Sequence, residues 1–219
     1  MDKIIVWGFR WAPPFAQGLV RDLRVRWALE EAGLAYETQL IDSGDRHSDS
    51  YRQIHPFGMV PVFEANGRRL IESGAILHRI AETSEALMPA DLDGRAETLA
   101  WMFAALNTVE PPLLNLLAMD LVHKDQEWAK LGRPVAVEAV KLRLTALSQW
   151  LDGRDYLLAR FTAADILMTT ALRFIRHTDL VAGFPVLDAY VKRCQARPAF
   201  QKVLNDQMGE YARYQPVAA

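Results

Sequence analysis

The sequence predicts a small mixed α/β domain followed by an all-helical domain. Short apolar runs alternate with one amphipathic helical segment over the first 84 residues, which is typical of packed strands and helices. The pattern changes in residues 85–94, where Pro89 and Gly94 interrupt it, and every later segment has helical periodicity. We therefore expect an α/β domain over residues 1–84, a linker over 85–94 and an all-helical domain over 95–219.

The N-terminal elements form a β-α-β unit. Residues 4–9 are a short apolar run that indicates a buried strand, and residues 36–41 indicate a second one. Between them, residues 21–32 carry Leu23, Trp27 and Ala28 on one helical face, with Gly33 as a C-terminal stop. A crossover of this kind predicts two parallel strands.

A β-hairpin and a helix complete the first domain. Residues 42–53 are polar and predict one or two helical turns. Asn66-Gly67 is typical of a two-residue hairpin turn between strands over 62–64 and 69–71. A helix follows over 73–84. The order βαβ-α-ββα is the thioredoxin-like arrangement, and the missing Cys-x-x-Cys motif argues against its dithiol redox chemistry.

Five helices are predicted after the linker. Their expected ranges are 95–119, 134–151, 162–177, 184–196 and 198–211. Pro111-Pro112 should kink or break the first, and Pro134 suits the first turn of the second. Thr162 and Asp165 have the spacing of a capping box, so we assign Asp165 a structural role.

Composition and charge exclude several classes of function. The formal net charge is −2 and the arginines are scattered, which argues against nucleic-acid or anionic-membrane partners. No apolar run is long enough for a spanning helix, and the start lacks a signal-peptide pattern, so we expect a cytoplasmic protein. Cys194 is the only cysteine, and the five histidines lack metal-ligand spacing, so we expect no metal.

The most informative motif lies in residues 55–77. Val60-Pro61 opens a strand, and the backbone of Val60 is free to pair with an extended ligand. Glu72-Ser73 stands where the hairpin ends and a helix begins. There the Ser73 hydroxyl can cap the helix, and the free N–H groups suit a carboxylate. Glu72 suits an ammonium group, so the motif predicts a site for a zwitterionic peptide end.

These motifs, in this order, resemble the glutathione-binding half of the glutathione S-transferase superfamily. The family pattern is Asn/His-Pro-x-Gly-x-Val-Pro, a hairpin, and then Glu/Gln-Ser-x-Ala-Ile, and the resemblance extends through most of the chain. It implies that Pro61 is a cis-proline and that Val60 pairs with the cysteinyl part of glutathione. It also implies that Glu72 and Ser73 hold the γ-glutamyl end.

The first loop departs from the family pattern. Family members usually place a Tyr, Ser or Cys after the first strand, where it stabilises the glutathione thiolate, yet residues 1–35 contain none of these and no Thr. Lowering a thiol pKa from about 8.5 by about two units takes about 2.7 kcal/mol. Guanidinium, indole or backbone N–H donors can supply this. We favour Arg10 and Trp11 as these donors. The alternative interpretation is that Arg10 is a surface residue and that Trp11 serves only in packing.

The resemblance implies a homodimeric enzyme that conjugates glutathione to small hydrophobic electrophiles. Two alternatives stay open. One is a glutathione-binding scaffold with little chemistry, and the other is a glutathione-dependent reductase or isomerase. A reductase that forms a mixed disulfide with the protein is disfavoured, because no cysteine lies near the first strand.

Overall fold

The computed structural model describes residues 3–215, which divide into two compact units. The first unit contains residues 3–87 and 198–215, and the second contains residues 88–197. The last helix therefore groups with the first unit, whereas the sequence assigned it to the helical domain. The predicted linker over 85–94 stays a prediction.

The first unit contains a four-stranded mixed sheet. Its strands are β1 (Ile5–Phe9), β2 (Glu37–Ile41), β3 (Val62–Ala65) and β4 (Arg68–Ile71), in the order β2-β1-β3-β4. β1 and β2 are parallel, as predicted, and the other two pairs are antiparallel. A small core cluster of Ile41, Tyr51, Val60 and Val62 packs at one end of the sheet.

Helices cover this sheet as the thioredoxin-like fold requires. Their bounds are α1 Asp22–Glu31, α2 Asp49–Arg52 and α3 Ser73–Ala81, with a 3₁₀ turn at Asp45–His47. Gly33, just past α1, has φ +67°, and the hairpin turn has φ 53° at Asn66 and 68° at Gly67. Both local predictions are confirmed, because these positive angles are the ones that glycine and asparagine tolerate.

The second unit is helical throughout its regular structure. Its helices are α4 Leu92–Phe103, α5 Glu110–Leu117, α6 Glu127–Leu151, α7 Ala163–Leu172 and α8 Pro185–Gln195, with a 3₁₀ turn at Arg173–Ile175 after α7. Two π-helical segments, Ala104–Val109 and Ala118–Val122, flank α5. The proline pair therefore opens α5 directly after a π segment, which interrupts the predicted 95–119 helix without ending it.

The start of α6 was predicted wrongly. The helix begins at Glu127, seven residues before Pro134, so the proline lies inside it and not in its first turn. Pro134 is exposed, as are Leu131 and Val135 beside it. A ring on the solvent side of a helix can be accommodated by bending, and helix pattern rules cannot detect this.

The C-terminal helix α9 (Pro198–Arg213) belongs to the first unit because it packs on α1. The rings of Trp27 and Phe200 meet edge to face with centroids 4.8 Å apart. Both side chains are fully buried. Between residues 3 and 215, no helix is long and apolar enough to cross a membrane.

Candidate functional site

The candidate site lies at one end of the sheet. Val62, the first residue of β3, pairs with Trp7 near the end of β1 and with Ile71 at the end of β4. The end of β1, the start of β3 and the end of β4 are therefore neighbours. This topology brings the first loop, Pro61 and the start of α3 together, although they are far apart in sequence.

The Val60–Pro61 peptide bond is cis, as the sequence analysis predicted. Val60 is buried. The Tyr51 hydroxyl donates a hydrogen bond to the carbonyl of Met59 at 2.8 Å, which holds the residue just before the cis bond in place. No backbone group in residues 3–215 forms a hydrogen bond with the N–H or C=O of Val60. An extended ligand can therefore find both groups available for antiparallel pairing.

Glu72 and Ser73 differ in one respect from the prediction. The N-cap of α3 is Glu72 and no side chain caps the helix, whereas we expected the Ser73 hydroxyl to do so. Glu72 has φ 70° and ψ 113°, an unfavourable conformation for a side-chain-bearing residue. Such strain costs about 1–3 kcal/mol and is concentrated at functional sites.

The Ser73 hydroxyl instead accepts a hydrogen bond from Arg24. Nη1 of Arg24 lies 3.3 Å from Oγ of Ser73, and both side chains are buried. A guanidinium therefore stands behind the first turn of α3, where it adds positive charge to that of the helix N-terminus. Sequence reasoning missed Arg24, because its position in α1 gives no indication that it reaches Ser73.

A buried histidine stands beside this corner of the site. His55 is 2% exposed, and its Nδ1 has no hydrogen-bond partner among the described residues. Burial lowers the pKa of His55 below its ordinary value, while the nearby charge of Glu72 opposes that shift. Burial therefore favours the neutral form of His55 beside Glu72.

The two candidates for thiol activation have different surroundings. The Arg10 guanidinium forms an ion pair with Asp42 and lies over the ring of Tyr214, 5.5 Å from its centroid. Nε1 of Trp11 is buried, and no described residue accepts a hydrogen bond from it. The indole N–H of Trp11 is thus left without an acceptor among the described residues, and the Arg10 guanidinium is shared with a carboxylate.

No described group of three or more His, Cys, Asp or Glu residues could hold a metal ion. Cys194 lies in the second unit and is fully buried. Burial raises the pKa of its thiol to about 12, so this residue is unsuited to act as a nucleophile.

Comparison with known proteins agrees with this geometry. The family profile of the glutathione S-transferase N-terminal domain matches residues 23–87, and that of the C-terminal domain matches residues 120–198. Glutathione S-transferase alpha-2 of Rattus norvegicus is 30% identical over 187 residues, spanning 82% of this chain and 81% of the rat protein. A probable maleylacetoacetate isomerase 2 of Drosophila melanogaster is 29% identical, spanning 81% and 80%.

A solved structure supports the same assignment. The glutathione transferase of Burkholderia graminis, crystallised with two glutathione molecules per subunit, is 26% identical to this chain. The superposition covers 93% of this chain and 88% of that one with a TM-score of 0.81. The two domain matches, the rat relative and this fold show that the chain belongs to the glutathione S-transferase family.

Proposed function

We propose that this protein is a glutathione transferase that binds glutathione at the end of the sheet and conjugates its thiolate to small hydrophobic electrophiles. The observation that carries the proposal is the juxtaposition of an unpaired Val60 backbone with the Arg24-backed N-terminus of α3. An extended tripeptide with a carboxylate near its amino end is complementary to both. The glutathione-bound relative from Burkholderia graminis supports this reading.

The proposed binding mode uses four residues. Val60 pairs with the cysteinyl backbone beside Pro61, Ser73 and the first N–H groups of α3 hold the γ-glutamyl carboxylate, and Glu72 holds the ammonium group. In this pose the thiol points toward the first loop, which has donors but no hydroxyl, thiol or phenol side chain. Thiolate formation then depends on N–H donors and positive charge.

Arg10→Ala is expected to raise the pKa of the bound glutathione thiol and slow conjugation at pH 7, with much of the rate recovered at high pH. The reason is that the guanidinium stabilises the thiolate, which forms unaided once the pH exceeds the thiol pKa. The measurement is a thiolate-absorbance titration of the glutathione complex across pH, paired with conjugation rates.

Trp11→Phe is the matched variant, because it removes the buried indole N–H and keeps an aromatic ring at this position. A raised thiol pKa in Trp11→Phe alone would assign the activation to Trp11 and not to Arg10. Unchanged thiol pKa and rate in both variants would contradict activation by this part of the loop. A wild-type complex without thiolate below pH 8 and without conjugation would favour the scaffold alternative.

A glutathione-dependent isomerase is the second candidate, because the Drosophila relative is named as an isomerase. In that chemistry the thiolate adds to a double bond and is expelled again after rotation, so glutathione is not consumed. Free thiol measured during turnover separates the two candidates. Transferase activity consumes one thiol per product, whereas isomerase activity consumes none.

We also propose a cytoplasmic homodimer. A single free, buried cysteine suits a reducing compartment. Large apolar side chains are exposed on the second unit, including Phe103 on α4 and Leu131, Val135 and Leu142 on α6. Phe103 is 60% exposed, and exposed apolar side chains of this kind favour a buried interface.

Light scattering is expected to give twice the chain mass of 24.8 kDa. The proposed contact involves α3 of one subunit and α4 of the other, so Phe103→Glu should shift the mass toward the monomer by placing a charge in an apolar interface. Met208→Glu, on the exposed side of α9, is the control. A monomer mass for the wild type at micromolar concentration would refute the dimer.

A further inference from the structure

The two ends of the loop that carries the proposed thiol donors both contact one carboxylate, that of Asp22. This loop comprises residues 10–21, between β1 and α1, and Asp22 is the first residue of α1. A Cβ atom added at Gly8 would lie 2.8 Å from Oδ2 of Asp22, so the carboxylate rests directly on the backbone near the end of β1. Both ends of the loop therefore meet at Asp22, and only glycine leaves room for this contact.

One hydrogen-bond donor and one cation hold the carboxylate in place. Nε2 of Gln207, on α9, lies 3.0 Å from Oδ1 and 3.1 Å from Oδ2 of Asp22. Nε of Arg26, one turn along α1, forms an ion pair with Oδ2 at 2.9 Å. The side chains of Asp22, Arg26 and Gln207 are all fully buried. Breaking one contact in such a cluster leaves a buried charge with fewer partners, which is costly.

The remaining groups around Asp22 complete the cluster. Arg26 also pairs through Nη1 with Glu210 of α9 at 2.8 Å, and Glu210 accepts from Thr38 of β2 at 3.1 Å. The buried Tyr211 hydroxyl is nearby and has no hydrogen-bond partner among the described residues. Burial raises the pKa of Asp22, and the Arg26 charge opposes this. The cluster thus joins α9 to β1, α1 and β2.

We propose that Asp22, held by Gln207 and Arg26, is a positioning residue for thiol activation, because it fixes both ends of the loop that carries the donors. Helix α9 thereby influences thiol activation, although its own residues do not activate the thiol. This inference rests on the proposed function. It adds that α9, the last helix of the chain, sets the geometry of the first loop.

The variants that test this differ in which α9–α1 contact they break. Gln207→Leu removes the donor to Asp22 at similar side-chain volume. Lys202→Met is the matched control, because Lys202 ties α9 to Glu30 near the other end of α1, away from the loop. The double variant Asp22→Asn/Gln207→Glu reverses donor and acceptor and should restore the contact. Asp22→Asn alone replaces Gln207→Leu if the latter fails to fold.

The first readout is the thiolate titration of the glutathione complex. Gln207→Leu should raise the bound thiol pKa by about one unit, and from a wild-type pKa of about 6.5 this leaves about threefold less thiolate at pH 7. The kcat at pH 7 should fall by the same factor with KM for glutathione little changed, because Val60 and Ser73 are untouched. Lys202→Met should match the wild type, and the double variant should recover the thiol pKa.

The second readout needs no glutathione. Hydrogen exchange of the backbone amides in residues 10–21 should accelerate in Gln207→Leu and not in Lys202→Met. Unchanged loop exchange in Gln207→Leu, or a thiol pKa equal to that of the wild type, would overturn the positioning role. Absence of thiolate in the wild type would overturn the proposed function and the role in activation together, while loop exchange would still decide whether Asp22 anchors the loop.

Discussion

Asp165→Ala is expected to lower the free energy of unfolding by about 3 kcal/mol or more, the largest stability effect that we predict. Asp165 is fully buried at the start of α7 and accepts four hydrogen bonds. Oδ1 accepts from the backbone N–H of Leu157 at 3.0 Å and from the Tyr190 hydroxyl at 2.9 Å. Oδ2 accepts from the backbone N–H of Thr162 at 2.9 Å and from its hydroxyl at 3.3 Å.

Alanine would leave these buried donors without an acceptor, at a cost of about 1–3 kcal/mol for each unsatisfied group. Domains of ordinary stability have only about 5–15 kcal/mol in total. Urea unfolding followed by circular dichroism and by tryptophan fluorescence measures the loss, and using both probes tests whether the two units unfold together.

Asp91→Ala is the matched control, because Asp91 caps α4 with a single exposed bond to the N–H of Gly94 at 2.7 Å. That variant should lose only about 1 kcal/mol. If Asp165→Ala loses no more than Asp91→Ala, the capping box does not hold the second unit together as we infer.

Ser73→Ala should weaken glutathione binding about 10- to 150-fold, which corresponds to about 1.5–3 kcal/mol for a hydrogen bond to a charged group. The loss is expected to be larger for binding than for folding. Among the described residues, the Ser73 hydroxyl accepts a long hydrogen bond from Arg24 and does not cap α3. Isothermal calorimetry with glutathione measures the effect.

A second ligand makes this test specific to the γ-glutamyl end. Cysteinylglycine lacks that end, so its affinity should be the same for Ser73→Ala and the wild type. Ser84→Ala, just beyond the end of α3, is the control variant and should bind glutathione normally. Equal losses for both ligands would mean that Ser73 acts on the site as a whole, and unchanged glutathione affinity would mean that the carboxylate lies elsewhere.

Local rules account for the elements that the sequence predicted well. The turn at Asn66-Gly67, the stop at Gly33 and the parallel pairing of β1 with β2 each follow from backbone preferences or crossover geometry within a few dozen residues. The cis bond before Pro61 was found in the same way, by its place in a motif. The start of α6 was missed because a proline is an N-terminal signal only when the helix does not already continue through it.

Three features could be predicted from the sequence: the thioredoxin-like order of elements, the helical second unit, and Val60, Pro61, Glu72 and Ser73 as a candidate site. Other contacts are visible only in the folded chain, where Arg24 supports Ser73 across 49 positions and Gln207 holds Asp22 across 185. The packing of α9 with the first unit is also visible only there. These contacts depend on which helix faces meet after folding, and hydrophobic periodicity predicts that a face is buried without naming the residue that it meets.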